Sequence, residues 1–203
     1  MLVVLISGRG SNMQALVEAG LPVAAVIANR PDAAGLQTAY SRGIATAVVD
    51  HRRFAAREAF DEALAAEVDR RQPRLIALAG FMRVLTAGFV QRYRSRVLNI
   101  HPSLLPAFPG LNTHERALTA GVKVHGCTVH FVTPELDSGP IVIQAAVPVH
   151  PGDGPDALAA RVLAQEHVIY PLAVRWFLED RLILEEGRVR VKGGDAQLVV
   201  SAA

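Results

Sequence analysis

Asn99 and His101 stand two residues apart at the end of the short apolar run Arg96–Ile100 and lead straight into Pro102-Ser103-Leu104-Leu105-Pro106. Side chains two apart on a strand share one face. An amide donor beside an imidazole suits an oxyanion that exists only in a transition state, and the prolines stiffen the chain just after the pair. A carboxylate follows at Asp137, within Thr133-Pro134-Glu135-Leu136-Asp137-Ser138-Gly139-Pro140. Such a turn can aim a carboxylate at an imidazole and favour the charged, proton-donating ring. Taken alone, the segment better suits an Asp that caps its own turn.

A second kind of chemistry is written near the start, in Ser7-Gly8-Arg9-Gly10-Ser11-Asn12. Glycines let the backbone turn tightly and present bare amides, and the helix N-terminus that follows favours an anion. Ser11 and Asn12 add side-chain donors. A dinucleotide fingerprint fails here, because Met13 replaces the third glycine and Asn29-Arg30 replaces the acidic ribose binder. No Lys-Ser/Thr pair follows, which removes a Walker loop. Two readings stand: a mononucleotide or sugar-phosphate loop, and a plain strand-to-helix turn with a Ser or Asn cap.

Other reactive residue types carry less. Cys127 is the one cysteine, so an internal disulfide and a Cys-rich zinc cluster are excluded. Its apolar neighbours favour a buried small hydrophobe over a reactive thiol. His51, His114, His125, His130, His150 and His167 show no metal-ligand spacing with one another or with Cys127.

The elements that must position these residues alternate in type. Short β-rich runs at Leu2–Ile6, Val23–Ala28, Ala45–Val49, Leu75–Ala79 and Arg96–Ile100 are separated by helical patterns over Met13–Glu18, Ala34–Ser41, Phe54–Arg71 and Ala87–Tyr93. Phe60, Leu64 and Val68 have the fourfold spacing of one helical face. This alternation predicts an α/β fold with a doubly wound, Rossmann-like, mostly parallel sheet. The second half changes character. After a short helix at Thr113–Ala120, the runs Val124–Val132 and Ile141–Pro148 flank a turn and predict antiparallel strands added in the C-terminal half. Pro155–Leu178 predicts a long helix with Pro171 as a kink. Leu182–Glu186 and Arg188–Lys192 predict a small hairpin, and the tail after Gly193 is expected to fray. With no linker or repeat, residues 1–203 are expected to form a single compact domain. Residues 1–93 would be its phosphate- and mononucleotide-binding half, and 94–203 its catalytic half.

Composition fits a compact enzyme: 51% hydrophobic and 20% charged residues over 203 positions. The net charge of +2 is scattered, without a basic run that would indicate nucleic acid. No apolar run approaches the ~20 residues that span a bilayer, and the chain opens directly into a strand with no signal-peptide pattern. A cytoplasmic protein is expected, acting on small molecules as a monomer or homodimer.

The ordered segments SGRGSN, LAGFMRVL, NIHPSLLPAFPG, HGCTVHFV, ELDSGPI and QEHVIYP resemble the phosphoribosylglycinamide formyltransferase family, within the wider folate-dependent formyltransferase group. The resemblance implies a formyltransferase-like fold. It implies transfer of a formyl group from 10-formyltetrahydrofolate, as co-substrate, to the amine of glycinamide ribonucleotide in de novo purine biosynthesis, with no metal. Asn99, His101 and Asp137 would be catalytic. Gly10, Ser11, Asn12 and Glu166 would bind the ribonucleotide. Met82, Arg83, Val84 and Leu85 would line the pterin pocket through backbone groups, Arg57 would meet the folate glutamate, and Asn99 with Thr133, Pro134, Glu135, Leu136 and Asp137 would complete the folate site. Arg57 also reads as a solvated helix charge and Glu166 as a solvent-facing one. A formyltetrahydrofolate hydrolase, with water in place of the amine, is the alternative. That family carries an extra N-terminal domain, whereas the catalytic segments here start at residue 1. A methionyl-tRNA formyltransferase would need a further C-terminal domain.

Overall fold

The computed structural model describes residues 1–201 as two compact units, Met1–Asn99 and Ile100 onward. The first unit follows the expected alternation closely: β1 (Leu2–Ile6), α1 (Ser11–Glu18), β2 (Val23–Ala28), α2 (Ala34–Ser41), β3 (Ala45–Val48), α3 (Arg57–Asp69), β4 (Leu75–Leu78), α4 (Ala87–Arg92) and the start of β5 (Val97–His101). Its strands pair in parallel in the order β3-β2-β1-β4-β5. Every residue of β1 and β4 is buried, as continuous Leu/Val/Ile runs require in a sheet covered on both faces. The chain proceeds outward from β1 in one direction through β2 and β3, and in the other through β4 and β5. The loops after β1 and β4 therefore leave the carboxyl edge side by side at a topological switch point, where α/β sheets place ligands.

Two helix starts in this unit moved from expectation. Helix α1 begins at Ser11, directly behind Gly10 in the left-handed region at φ 74°. Helix α3 begins at Arg57 instead of Phe54, because Asp50 accepts the Arg52 N–H and closes a separate 3-10 turn over His51–Arg53.

In the second unit, α5 (Thr113–Thr119) precedes the antiparallel pair β6 (Val124–Phe131) and β7 (Ile141–Pro148), which are joined by the Thr133–Pro140 turn. The long helix α6 (Pro155–Leu178) packs on both strands and on α5. It starts with Pro155 in the first turn, where a missing N–H costs nothing, and runs on through Pro171. Strands β8 (Leu182–Glu185) and β9 (Arg188–Val191) form the expected terminal hairpin. The tail corrects one expectation. Leu198–Val200 is not frayed but forms β10, parallel to β7 with Leu198 opposite Gln144. Gln197 supports it by donating to the carbonyls of Val142 and Val189. Among the described residues no helix is long and apolar enough to cross a membrane.

Candidate active site

In the second unit, His101 is the last residue of β5 and is buried. Both ring nitrogens face acceptors: Nε2 donates to the Phe108 carbonyl at 3.0 Å, and Nδ1 lies 3.4 Å from Asp137 Oδ2. The ring thus lies between a backbone carbonyl and a carboxylate. Asp137 Oδ2 also accepts the Gly110 N–H at 2.8 Å, and its Oδ1 lies 3.9 Å from His130 Nε2. The Asp137 backbone sits in the left-handed region at φ 49°, which Asp tolerates better than most residues. Gly139 is required beside it, since a Cβ there would fall 1.7 Å from the Phe131 carbonyl oxygen. The turn thus aims the carboxylate at the ring. Thr133 holds that turn by donating to the Glu135 carbonyl, and Pro134, Glu135 and Leu136 are exposed on it.

The loop after His101 is held from below. Thr128, fully buried on β6, donates to the Ser103 carbonyl at 2.7 Å and accepts the Leu105 N–H at 3.0 Å. Gln144 on β7 donates to both the Leu105 carbonyl and Thr128 Oγ1. Ser103 in turn donates to the Ala107 carbonyl, one residue before the Phe108 oxygen that His101 meets.

Three further imidazoles border this centre. His114 and His125 meet edge-to-face at 5.3 Å, and Phe108 packs on His125 at 5.9 Å. Burial pushes His125 down to about 4, with His114 adding to the effect, and lowers His114 and His130 as well. Burial likewise raises the Cys127 thiol, with Glu166 contributing, so that residue is an inert core group as its neighbours suggested. Glu166 corrects its own default reading. It does not face solvent but is buried on α6.

The first unit holds the other candidates. The loop Ser7–Gly10 packs against α2, where the Gly35 N–H donates to the Gly8 carbonyl at 3.0 Å. A Cβ on Gly10 would lie 3.2 Å from Gly35 Cα, so the tight approach and the positive φ both require glycine. Ser11 and Asn12 then open α1, with Asn12 buried. After β4, the loop Gly80–Thr86 carries Met82 and Val84 with 67% and 51% of their surfaces exposed, while Leu85 is buried. Arg57 is the exposed first residue of α3. Asn99, half-buried on β5, precedes His101 by two residues.

The formyl transferase family model matches residues 1–174, a span that holds both the glycine loop and the His101–Asp137 pair. The chain belongs to the formyl transferase family. Phosphoribosylglycinamide formyltransferase of Escherichia coli K12 is 50% identical to it over 95% of this chain and 93% of that protein. The human trifunctional purine biosynthetic protein adenosine-3 is 46% identical over 85% of this chain, which spans 18% of that longer protein. The crystal structure of phosphoribosylglycinamide formyltransferase from Anaplasma phagocytophilum superposes with a TM-score of 0.93 at 43% identity, covering 99% of this chain and 98% of that one.

Two polar groups of this formyltransferase were given no role by its sequence. His130 lies in the part of β6 that is buried throughout, from His125 to Phe131, and nothing local shows that the hairpin brings Asp137 back to it. Asp61 sits on α3 and is buried. Its signal was present: Asp61, Leu64, Ala65 and Val68 share the stripe i, i+3, i+4, i+7 that turns inward.

Proposed function

We propose that this enzyme transfers the formyl group of 10-formyltetrahydrofolate to the amine of glycinamide ribonucleotide. The observation that carries the reading is the buried His101 with an acceptor on each ring nitrogen, one of them the Asp137 carboxylate. Relatives that match nearly end to end and are named for this reaction support transfer over hydrolysis.

In this account the amine lone pair attacks the formyl carbon, and the carbonyl π pair moves onto oxygen. Asn99 and the protonated His101 donate to that oxyanion. Asp137 holds Nδ1, so Nε2 is the donor that turns to substrate, and the formyl oxygen takes the place of the Phe108 carbonyl. Collapse expels the folate nitrogen, which takes a proton as the former amine loses one. One oxyanion donor contributes about 3–4 kcal/mol to such a barrier.

The ribonucleotide phosphate would bind the amides of Gly10, Ser11 and Asn12 at the N-terminus of α1, with Glu166 accepting hydrogen bonds from the same substrate. The folate would use Arg57 for its glutamate, the backbone of Met82, Arg83, Val84 and Leu85 with Asn99 for its pterin, and Thr133–Asp137 for its second wall. Exposed Met82 and Val84 suit a flat heteroaromatic ring. The test is to follow the formyl group after mixing enzyme and 10-formyltetrahydrofolate, with and without glycinamide ribonucleotide. Formylated ribonucleotide, with little formate released in its absence, supports the reading. Equal formate release in both would make the chain a hydrolase.

A further inference from the structure

The loop between β4 and α4 is fastened at both ends by buried side chains that belong to other elements. At its entry, Ser7 donates its N–H to the Gly80 carbonyl at 3.2 Å, and its hydroxyl oxygen accepts the Met82 N–H at 2.8 Å. At its exit, Asp61 Oδ2 accepts the Thr86 N–H at 2.6 Å, while Thr86 Oγ1 caps α4 by accepting the Phe89 N–H. Between the two fastenings, the backbone groups of Arg83, Val84 and Leu85 make no hydrogen bond among the described residues. Unpaired amides and carbonyls flanked by exposed Met82 and Val84 are what an edge that reads a planar ring with donors and acceptors requires.

Asp61 is the informative member. Its residue is 4% exposed, and its second oxygen, Oδ1, is buried without a hydrogen-bond partner among the described residues. A half-satisfied buried carboxylate costs stability, and a cap on one amide of a surface loop does not require a charge in that place. Leucine at the same inward position would continue the apolar stripe of Leu64 and Val68. A residue that weakens the fold and still fixes one end of a loop points to what the loop does.

We propose that Asp61 and Ser7 are positioning residues: they hold the Phe81–Thr86 loop so that its free backbone edge meets the pterin ring of the formyl donor. The proposal rests on the reading of that loop as a folate contact. It makes Asp61 act through the Thr86 amide, without touching substrate.

Steady-state kinetics of the full chain, with each substrate varied in turn, test this on Asp61→Leu and Asp61→Asn. Asp61→Leu should raise KM for 10-formyltetrahydrofolate by about 10-fold or more, the scale of a lost hydrogen bond to a charged group. KM for glycinamide ribonucleotide should stay within about twofold, and the melting temperature should hold or rise. Asp61→Asn, whose amide oxygen can still accept the Thr86 N–H, should restore the folate KM to within about threefold of wild type. If Asp61→Leu does not fold, Ser7→Ala should show the same folate-selective rise. Equal rises in both KM values, an unchanged folate KM, or no rescue by Asn would overturn the proposal. Amide hydrogen exchange separates this outcome from the fate of the assigned reaction. Thr86 should exchange faster in Asp61→Leu while the β4 amides do not, whether or not the wild-type enzyme formylates the ribonucleotide. Unchanged exchange at Thr86 would overturn the proposal by itself.

Discussion

Asp137 Oδ2 reaches His101 Nδ1 at 3.4 Å and at the same time accepts the N–H of Gly110 at 2.8 Å. One carboxylate oxygen therefore ties the imidazole on β5 to the loop that follows it. Any change at Asp137 thus reaches both the ring and the loop.

Asp137→Asn removes the carboxylate charge without disturbing the turn. Asn tolerates the left-handed backbone as well as Asp does, and its oxygen can still accept from Gly110. The imidazolium loses its counter-charge and gives up its proton more readily. The alkaline limb of the pH–rate profile should move to lower pH, and kcat at neutral pH should fall by about 10²-fold or more. A pH–rate series on both proteins checks this, and an unmoved alkaline limb would leave Asp137 as a turn residue only.

Ser11→Asp separates phosphate binding from folding. A carboxylate in the first turn of α1 complements the helix dipole, so thermal stability should hold or rise slightly. The same charge repels a phosphate at those amides. KM for glycinamide ribonucleotide should rise by about 10-fold or more at low ionic strength, with a smaller rise at high salt. If the folate KM rises in its place, the two substrates have been assigned to the wrong loops.

Acid should weaken the fold through His125. Its ring sits at about 4 in the folded protein against an ordinary 6.5, so the unfolded chain takes up the proton first as pH falls. Stability is then lost as pH drops from about 6.5 toward 4, by at most about 3 kcal/mol from this residue, and is unaffected above that window. His125→Asn can keep a donor toward the Pro102 carbonyl but does not titrate there. Melting temperatures between pH 7 and pH 4 should fall less steeply in the variant. Parallel slopes would show that His125 does not drive the acid loss.

The stretch Pro106–Lys123 buries only Thr113 and Ala117, so it should open easily. In the proposed mechanism Phe108 must also leave His101 Nε2 when substrate arrives. Amide exchange across this stretch should slow when both substrates or a bisubstrate analogue bind. Equal protection, free and bound, would make it a fixed wall.

How far the sequence could be read follows from the range of each interaction. Runs such as Leu2–Ile6, and the Phe60/Leu64/Val68 stripe, declare themselves because burial imposes a local period. Asn99 and His101 stood out because amide and imidazole share one strand end ahead of rigid prolines, whereas Asp137 was singled out by the family resemblance. Strand β10 was missed because three residues after Gly193-Gly194 carry no period, and their partner Gln144 lies 54 residues earlier. Burial of Glu166 was misjudged, and that of Asp61 passed over, for another reason. A charged residue on an apolar stripe reads as an exception until its neighbours on the same helix are counted with it. The partners of His101 lie across turns whose closure depends on Gly139 and on Thr128 beneath the loop, and no local pattern announces either.

The most direct measurement is the single-turnover rate of formyl transfer with both substrates bound, in wild type, His101→Ala, Asn99→Ala and the double variant. His101→Ala should lose about 10²–10⁴ in rate while binding each substrate within a few-fold, because its charge matters once the oxyanion forms. Asn99→Ala should also be slow, and the double variant should be less impaired than the product of the two, since both donors serve one oxygen. His101→Ala retaining more than about a tenth of the wild-type rate, or losses that multiply fully, would contradict the account.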